Sequence, residues 1–242
     1  MENDVELKSV FVYAPDMMFA GPYLKRELAG CDITITDIMP EEIRADYAFM
    51  LASASVYDQN CSDAAVEGAG LDGSSVYFRR ESEFESAVIK HQTPYVIFRI
   101  PNPVGTGMSG LPREIVNRIH RGTYWLLGGN ECRISTIHCV DVASAVGIAI
   151  TCGLTGVFNI TDGSDPLLAD FAEALSFRLG NKRIPIISEK WARWIVGRRC
   201  IDRLKKSRTL SSRKFADATR GLFKPHIVTE YLHTHVYDSE SL

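Results

Sequence analysis

Residues 9–38, SVFVYAPDMMFAGPYLKRELAGCDITITDI, contain the pattern that decides the fold. Residues 9–14 are a β-branched and aromatic run ended by Pro15, which reads as a buried strand. Phe19, Tyr23, Leu24 and Leu28 then recur at helical spacing, and residues 32–38 form a second strand-like run closed by Pro40. A strand, a helix and a strand within about 30 residues make a βαβ unit, whose two strands are parallel.

Working outward, residues 47–53 (YAFMLAS) and 94–100 (PYVIFRI) read as further buried strands. Between them a helix is expected over 76–90, with Val76, Phe84, Ala87 and Val88 on its apolar side. Helices over 111–120 and 140–151 flank a short apolar segment at 135–138. A strand at 157–161 and an amphipathic helix at 167–179 follow, then helical patterns over 191–204, 211–219 and 227–236. Strands alternating with helices and then a helix-rich tail predict an α/β, Rossmann-like, doubly wound and mostly parallel sheet with a small C-terminal lobe. The expected division is a core over 1–161, including substrate-loop elements at 101–135, and a lobe over 162–242 that completes the substrate side. Only nine residues separate Asp37 from Tyr47. That is too few for a helical crossover, so the sheet is expected to be shortened there, by an extended crossing or an antiparallel insertion.

Composition sets the outer limits. A chain of 242 residues, 45% hydrophobic and 24% charged, excludes collagen-like, mucin-like and coiled-coil classes. A chain this long buries roughly 70 to 75% of its unfolded surface, so its core needs no disulfide or metal. The six cysteines are scattered singly, as in a protein of reduced thiols rather than a zinc or disulfide framework. Residues 1–8 are polar and acidic, unlike a signal peptide, and no window has the run of about 18 apolar residues a membrane span needs. The expectation is a cytoplasmic protein with no membrane partner. A net charge of −3 points to no nucleic-acid partner. Between Lys190 and Lys214, however, there are ten Lys or Arg and one acid, Asp202. Such a run is a solvated helical face or a site for an anionic ligand or partner.

Five passages, in order, resemble the extended short-chain dehydrogenase/reductase superfamily, and within it the NAD-dependent nucleotide-sugar epimerase/dehydratase family. Residues 19–24 (FAGPYL) resemble the end of its glycine-rich turn, and 52–57 (ASASVY) its serine-containing active-site strand. Residues 99–107 (RIPNPVGTG) look like its substrate loop, 137–143 (IHCVDVA) like its second substrate-side helix start, and 157–161 with the following helix also fit. The resemblance implies NAD or NADP as cofactor and a nucleotide sugar as ligand.

Several positions depart from the family pattern. A pyrophosphate needs bare backbone at a strand-to-helix turn, where helix N-terminal amides can meet its charge. Here only Gly21 remains of the glycines. Pro15 lacks an amide donor, Met17 and Met18 carry bulk, and Asp16 adds a negative charge. Asp37 could accept from an adenosine ribose or be a solvated strand-end carboxylate. The resemblance assigns Ser53 and Tyr77 as the catalytic serine and tyrosine. The lysine that should follow four residues after the tyrosine is replaced by Glu81, with Arg79 and Arg80 beside it and the family's acidic residue matched by Glu85. A cation there lowers a phenol's pKa and a carboxylate raises it, so Glu81 is expected to disable the acid–base step.

On the substrate side, Asn102 and Arg133 match family positions that contact the nucleotide-sugar diphosphate. A turn cap and a surface salt bridge are their alternatives. Asp141 is expected as a helix cap or first-turn acid. His233 and His235 point in different directions on a helix, so no metal is expected. Trp191 and Trp194 are expected to pack the core of the lobe. Two functional readings remain. One is an impaired NAD(P)-dependent epimerase, dehydratase or reductase. The other is a non-catalytic relative that senses a nucleotide or binds a partner. A second copy of the chain is a third candidate, able to supply missing cleft elements.

Overall fold

The computed structural model describes residues 9–54 and 76–234. Strands β1 (Ser9–Tyr13) and β2 (Asp32–Thr36) flank helix α1 (Gly21–Glu27), which a 3-10 turn at Met18–Ala20 leads into. Strand β3 (Tyr47–Ser53), helix α2 (Val76–Lys90) and strand β4 (Tyr95–Ile100) follow. Next come β5 (Pro103–Val104), α3 (Gly110–His120), β6 (Leu126–Leu127), β7 (Ile137–His138), α4 (Cys139–Thr151) and β8 (Gly156–Asn159). The chain continues through α5 (Leu168–Arg178), β9 (Ile186–Ile187), α6 (Glu189–Val196), α7 (Arg198–Leu204), α8 (Arg213–Ala218) and α9 (Val228–Thr234).

The main sheet has five strands in the order β2-β1-β3-β4-β8, every neighbouring pair parallel. Each strand alternates its side chains between two covered faces, so β3 and β4 are buried almost throughout. Val10, Val12, Phe49, Leu51, Val96 and Phe98 share one core with α1 and α4. Phe11, Tyr13, Met50 and Ile97 share the other with Phe84 and Val88 of α2.

Residues 37–46 cross from β2 to β3 without helix or strand, and β3 runs parallel to β1. The extended crossing is therefore the one adopted. Ile43 from this loop is buried in the α2-side core, covering apolar strand surface that a crossover helix would otherwise cover. Asp46 fixes the loop's exit by accepting from the Ser9 amide at 2.8 Å and its hydroxyl at 2.9 Å.

A second core joins Met108, Ile115 and Ile119 around α3 to Phe171 and Leu175 of α5 and to Val228 and Leu232 of α9. Phe215 of α8 reaches the main sheet and packs edge-on against Phe98 at 5.2 Å. Two expectations for the tail are corrected. The helix expected over 191–204 is broken at Gly197, whose φ of 81° and ψ of 157° only glycine adopts readily. Trp191 and Trp194, expected in the core, are exposed, because the inward positions of this hairpin are Ala192 and Ile201.

Candidate functional site

A cleft of about 930 Å³ lies at the carboxyl ends of the strands, where α1 and α2 leave for opposite faces of the sheet. Open parallel sheets bind ligands at such a point. Its walls come from residues 15–19 after β1, Asp37 after β2, Ser53 at the end of β3, Tyr77 on α2, residues 100–103 after β4, the start of α3, and residues 207–210. Topology thus brings Asp37, Ser53, Tyr77 and Asn102 to one cavity from four separate segments.

Backbone donors in the turn after β1 are used within the fold. The Ala14 amide donates to Thr36 at 2.8 Å, Met17 to Ala14 at 3.1 Å and Ala20 to Met17 at 2.9 Å. Pro15 has no amide to offer. The Asp16 carboxylate takes an ion pair from Arg80 at 2.9 Å, and its carbonyl accepts from the Ser109 hydroxyl at 3.0 Å. Gly21 is buried in helical conformation at the start of α1 and faces Ile35 of β2, so it serves helix-to-strand packing and does not line the cleft. A dinucleotide's pyrophosphate does not fit this turn. Three of its amides, those of Ala14, Met17 and Ala20, are already used, a carboxylate stands where negative charge would arrive, and Met18 is exposed at the wall.

Ser53 and Tyr77 both line the cavity. Glu81, one turn beyond Tyr77, is only 4% exposed and ion-pairs with Arg99 of β4, itself 3% exposed. A guanidinium therefore matches the Glu81 charge inside the core. Arg80 is likewise committed, to Asp16. Burial, with Glu81 adding to it, raises the pKa of Glu85 above the carboxylate range.

Asn102 lines the cleft with a left-handed φ of 33°, which asparagine tolerates, and donates its amide to the Ser135 carbonyl at 2.9 Å. It therefore ties the loop after β4 to the strand leading into β7. Arg133 is corrected. Its side chain is exposed, donates to the Asp165 carbonyl at 2.9 Å and does not line the cavity.

The arginine that lines the wall is Arg208, flanked by Ser207 and Thr209. Backbone bonding places this segment. The Arg208 amide donates to Arg133 at 2.8 Å, and the Ser135 amide donates to Arg208 at 3.1 Å. Sequence reasoning singled out the basic run containing Arg208 but not this residue. The only local signal was charge density, and the pairing with residues 133–135 is long-range.

Away from the cleft, His138 caps α4, its Nδ1 accepting from the Val140 amide at 3.2 Å. Asp141 is the first-turn acid, held by the His226 ring at 2.7 Å and the His226 amide at 3.1 Å. Burial raises its pKa, and the His226 contacts oppose that rise. Among the described residues no three His, Cys, Asp or Glu are grouped to hold a metal. His235, and residues 55–57 of the serine-containing passage, lie outside the described residues. No described helix is long and apolar enough to cross a membrane.

The chain matches no family model and no curated protein sequence. Solved structures do match. A dTDP-4-dehydrorhamnose reductase from Clostridium acetobutylicum is 15% identical, with 93% of this chain and 98% of that one covered at a TM-score of 0.67. RMD from Pseudomonas aeruginosa, complexed with NADPH, is 16% identical over 97% and 98%, at 0.66. A UDP-glucose 4-epimerase from Thermotoga maritima, with UDP-glucose, is 14% identical over 93% and 96%, at 0.65. This chain has the Rossmann-like fold of those three structures.

Proposed function

We propose that this protein is a relative of the NAD(P)-dependent epimerase/dehydratase group that binds a nucleotide sugar in the cleft and is impaired in hydride transfer. The observation that carries the reading is the buried Glu81–Arg99 pair. The position from which a cation would tune the phenol holds a carboxylate locked into the core. The turn after β1 adds to it, because Pro15 has no amide, the Ala14, Met17 and Ala20 amides are already used, and the Asp16 carboxylate stands where a dinucleotide's phosphates need donors.

The ligand-binding half of the reading rests on the other wall. Arg208 can meet a diphosphate with two parallel hydrogen bonds, Ser207 and Thr209 can donate beside it, and Asp37 can accept from a sugar hydroxyl. Ser53 and Tyr77 can hydrogen-bond a ligand hydroxyl without any bond to carbon being broken. Their joint presence in the cleft supports a second reading, a slow enzyme in which Tyr77 still acts as acid and base.

Titration with NADH and NADPH, followed by cofactor fluorescence and melting temperature, separates the two. The proposal expects no saturable signal with either cofactor and a raised melting temperature with UDP- or dTDP-sugars. A dissociation constant of tens of micromolar or tighter for NADH or NADPH would overturn it in favour of the enzyme.

A further inference from the structure

The hairpin of α6 and α7 is the most exposed apolar feature among the described residues. Trp191 is 65% exposed, Trp194 81% and Ile195 55%. Positions i, i+3 and i+4 share one face of a helix, so these three form an outward apolar stripe opposite Ala192, which is buried. The two indoles meet edge to face at 6.2 Å. Val196 and Gly197 continue the exposed corner into α7. Leaving two tryptophans in water gives nothing to folding, so the stripe is not a packing device.

The charge around the stripe is one-sided. Between Glu189 and Lys206 there are seven Lys or Arg against Glu189 and Asp202. Glu189 is already paired with Arg193 and Lys205, and Asp202 lies by Arg198. The rest of the chain is net acidic, so the basic charge is concentrated on this corner. A second copy docking symmetrically would set these cations against each other. Indoles ringed by cations suit a surface that is apolar below and anionic above.

We propose that α6 and α7 form a peripheral docking face for an anionic lipid bilayer. Trp191, Trp194 and Ile195 enter the interface, and the surrounding Lys and Arg meet the headgroup phosphates. The expectation of no membrane partner rested on the lack of a spanning segment, a criterion that a helix lying in the interface does not have to meet.

The test is flotation of the full chain with phosphatidylserine/phosphatidylcholine vesicles and with phosphatidylcholine vesicles, at low and high salt, with tryptophan emission recorded. Binding to the anionic vesicles at least about tenfold tighter, weakened by salt and accompanied by a blue shift, is expected. Trp191→Ser with Trp194→Ser should abolish the blue shift. Arg199→Glu with Arg203→Glu should weaken vesicle binding at least about tenfold and leave the melting temperature unchanged. All four side chains are exposed. Should the tryptophan variant misfold, the arginine variant and the wild-type emission shift decide between outcomes. Failure to bind, or equal binding to both vesicle types, overturns the proposal. Tryptophan-dependent dimerisation without vesicle binding assigns the face to a second copy and overturns it too. So does tighter binding to a soluble polyanion with no blue shift.

Discussion

The two walls of the cleft stand on the same sheet and treat a ligand's phosphate in opposite ways. On the β1 side, Ala14, Met17 and Ala20 spend their backbone amides on the chain's own carbonyls, and Asp16 is held against Arg80. On the far side, backbone bonds of Arg208 to Arg133 and Ser135 position the segment 207–209, which lines the cavity. A wall that satisfies its own donors contributes stability. A wall whose donors are side chains held by a satisfied backbone can contribute recognition. Parallel-sheet topology delivers both to one cavity, and local hydrogen bonding decides which kind each becomes.

The largest expected effect tests whether the β1 and α2 side is structural. Glu81→Ala removes the carboxylate paired with Arg99 in the core and should cost about 3–5 kcal/mol in denaturant unfolding. Glu81→Lys, which restores the family's cation, should be at least as destabilising, because it sets two cations together where neither meets water. A Glu81→Lys protein as stable as wild type would break the comparison. Next in size, Arg208→Ala should weaken UDP-sugar binding about tenfold or more by calorimetry, as expected for losing a charge-assisted hydrogen bond.

A third prediction sharpens the comparison by marking the other end of β3, away from the cleft. The Tyr47 hydroxyl is buried without a hydrogen-bond partner, and burial pushes its pKa up to about 12. Tyr47→Phe should therefore stabilise the fold by about 1 kcal/mol and leave ligand affinity alone. Because the folded-state pKa is raised, the neutral phenol's contribution is intact below about pH 10 and is lost as pH rises through about 12. Wild type should show an alkaline loss of melting temperature that Tyr47→Phe reduces. The smallest effect belongs to Arg133→Ala. It should change UDP-sugar affinity less than twofold, because its guanidinium serves the Asp165 carbonyl outside the cavity; an effect as large as that of Arg208→Ala would reverse the roles of the two arginines.

How much was legible depended on the range of the cause. The βαβ unit at 9–38, the strands near 47–53 and 95–100 and most helices follow from local periodicity, which backbone geometry enforces within a few residues. Ser53, Tyr77, Asp37 and Asn102 reach one cavity because the first four strands and their turns follow one another in the order that builds a switch-point cleft. Arg208 was hidden among ten basic residues, since only backbone pairings 75 and 73 residues apart, with Arg133 and Ser135, bring that segment to the cavity. Arg133 was misplaced for the same reason. Glu81 was read as a departure from the resembled family's pattern, but its partner Arg99 lies on a strand whose inward face the sequence does not specify residue by residue.

Alternating apolar runs and short turns were enough by themselves to determine a parallel sheet with helices; the altered cofactor turn and Glu81 in place of a lysine were expectations that only the family resemblance implied. Tertiary structure alone decided that this carboxylate is neutralised, that Asp16 holds Arg80, that Arg208 rather than Arg133 meets the cavity, and that two tryptophans face outward. The physical reason is that charge compensation and exposure depend on which distant segments become neighbours, and a linear pattern records only what lies within a few residues along the chain.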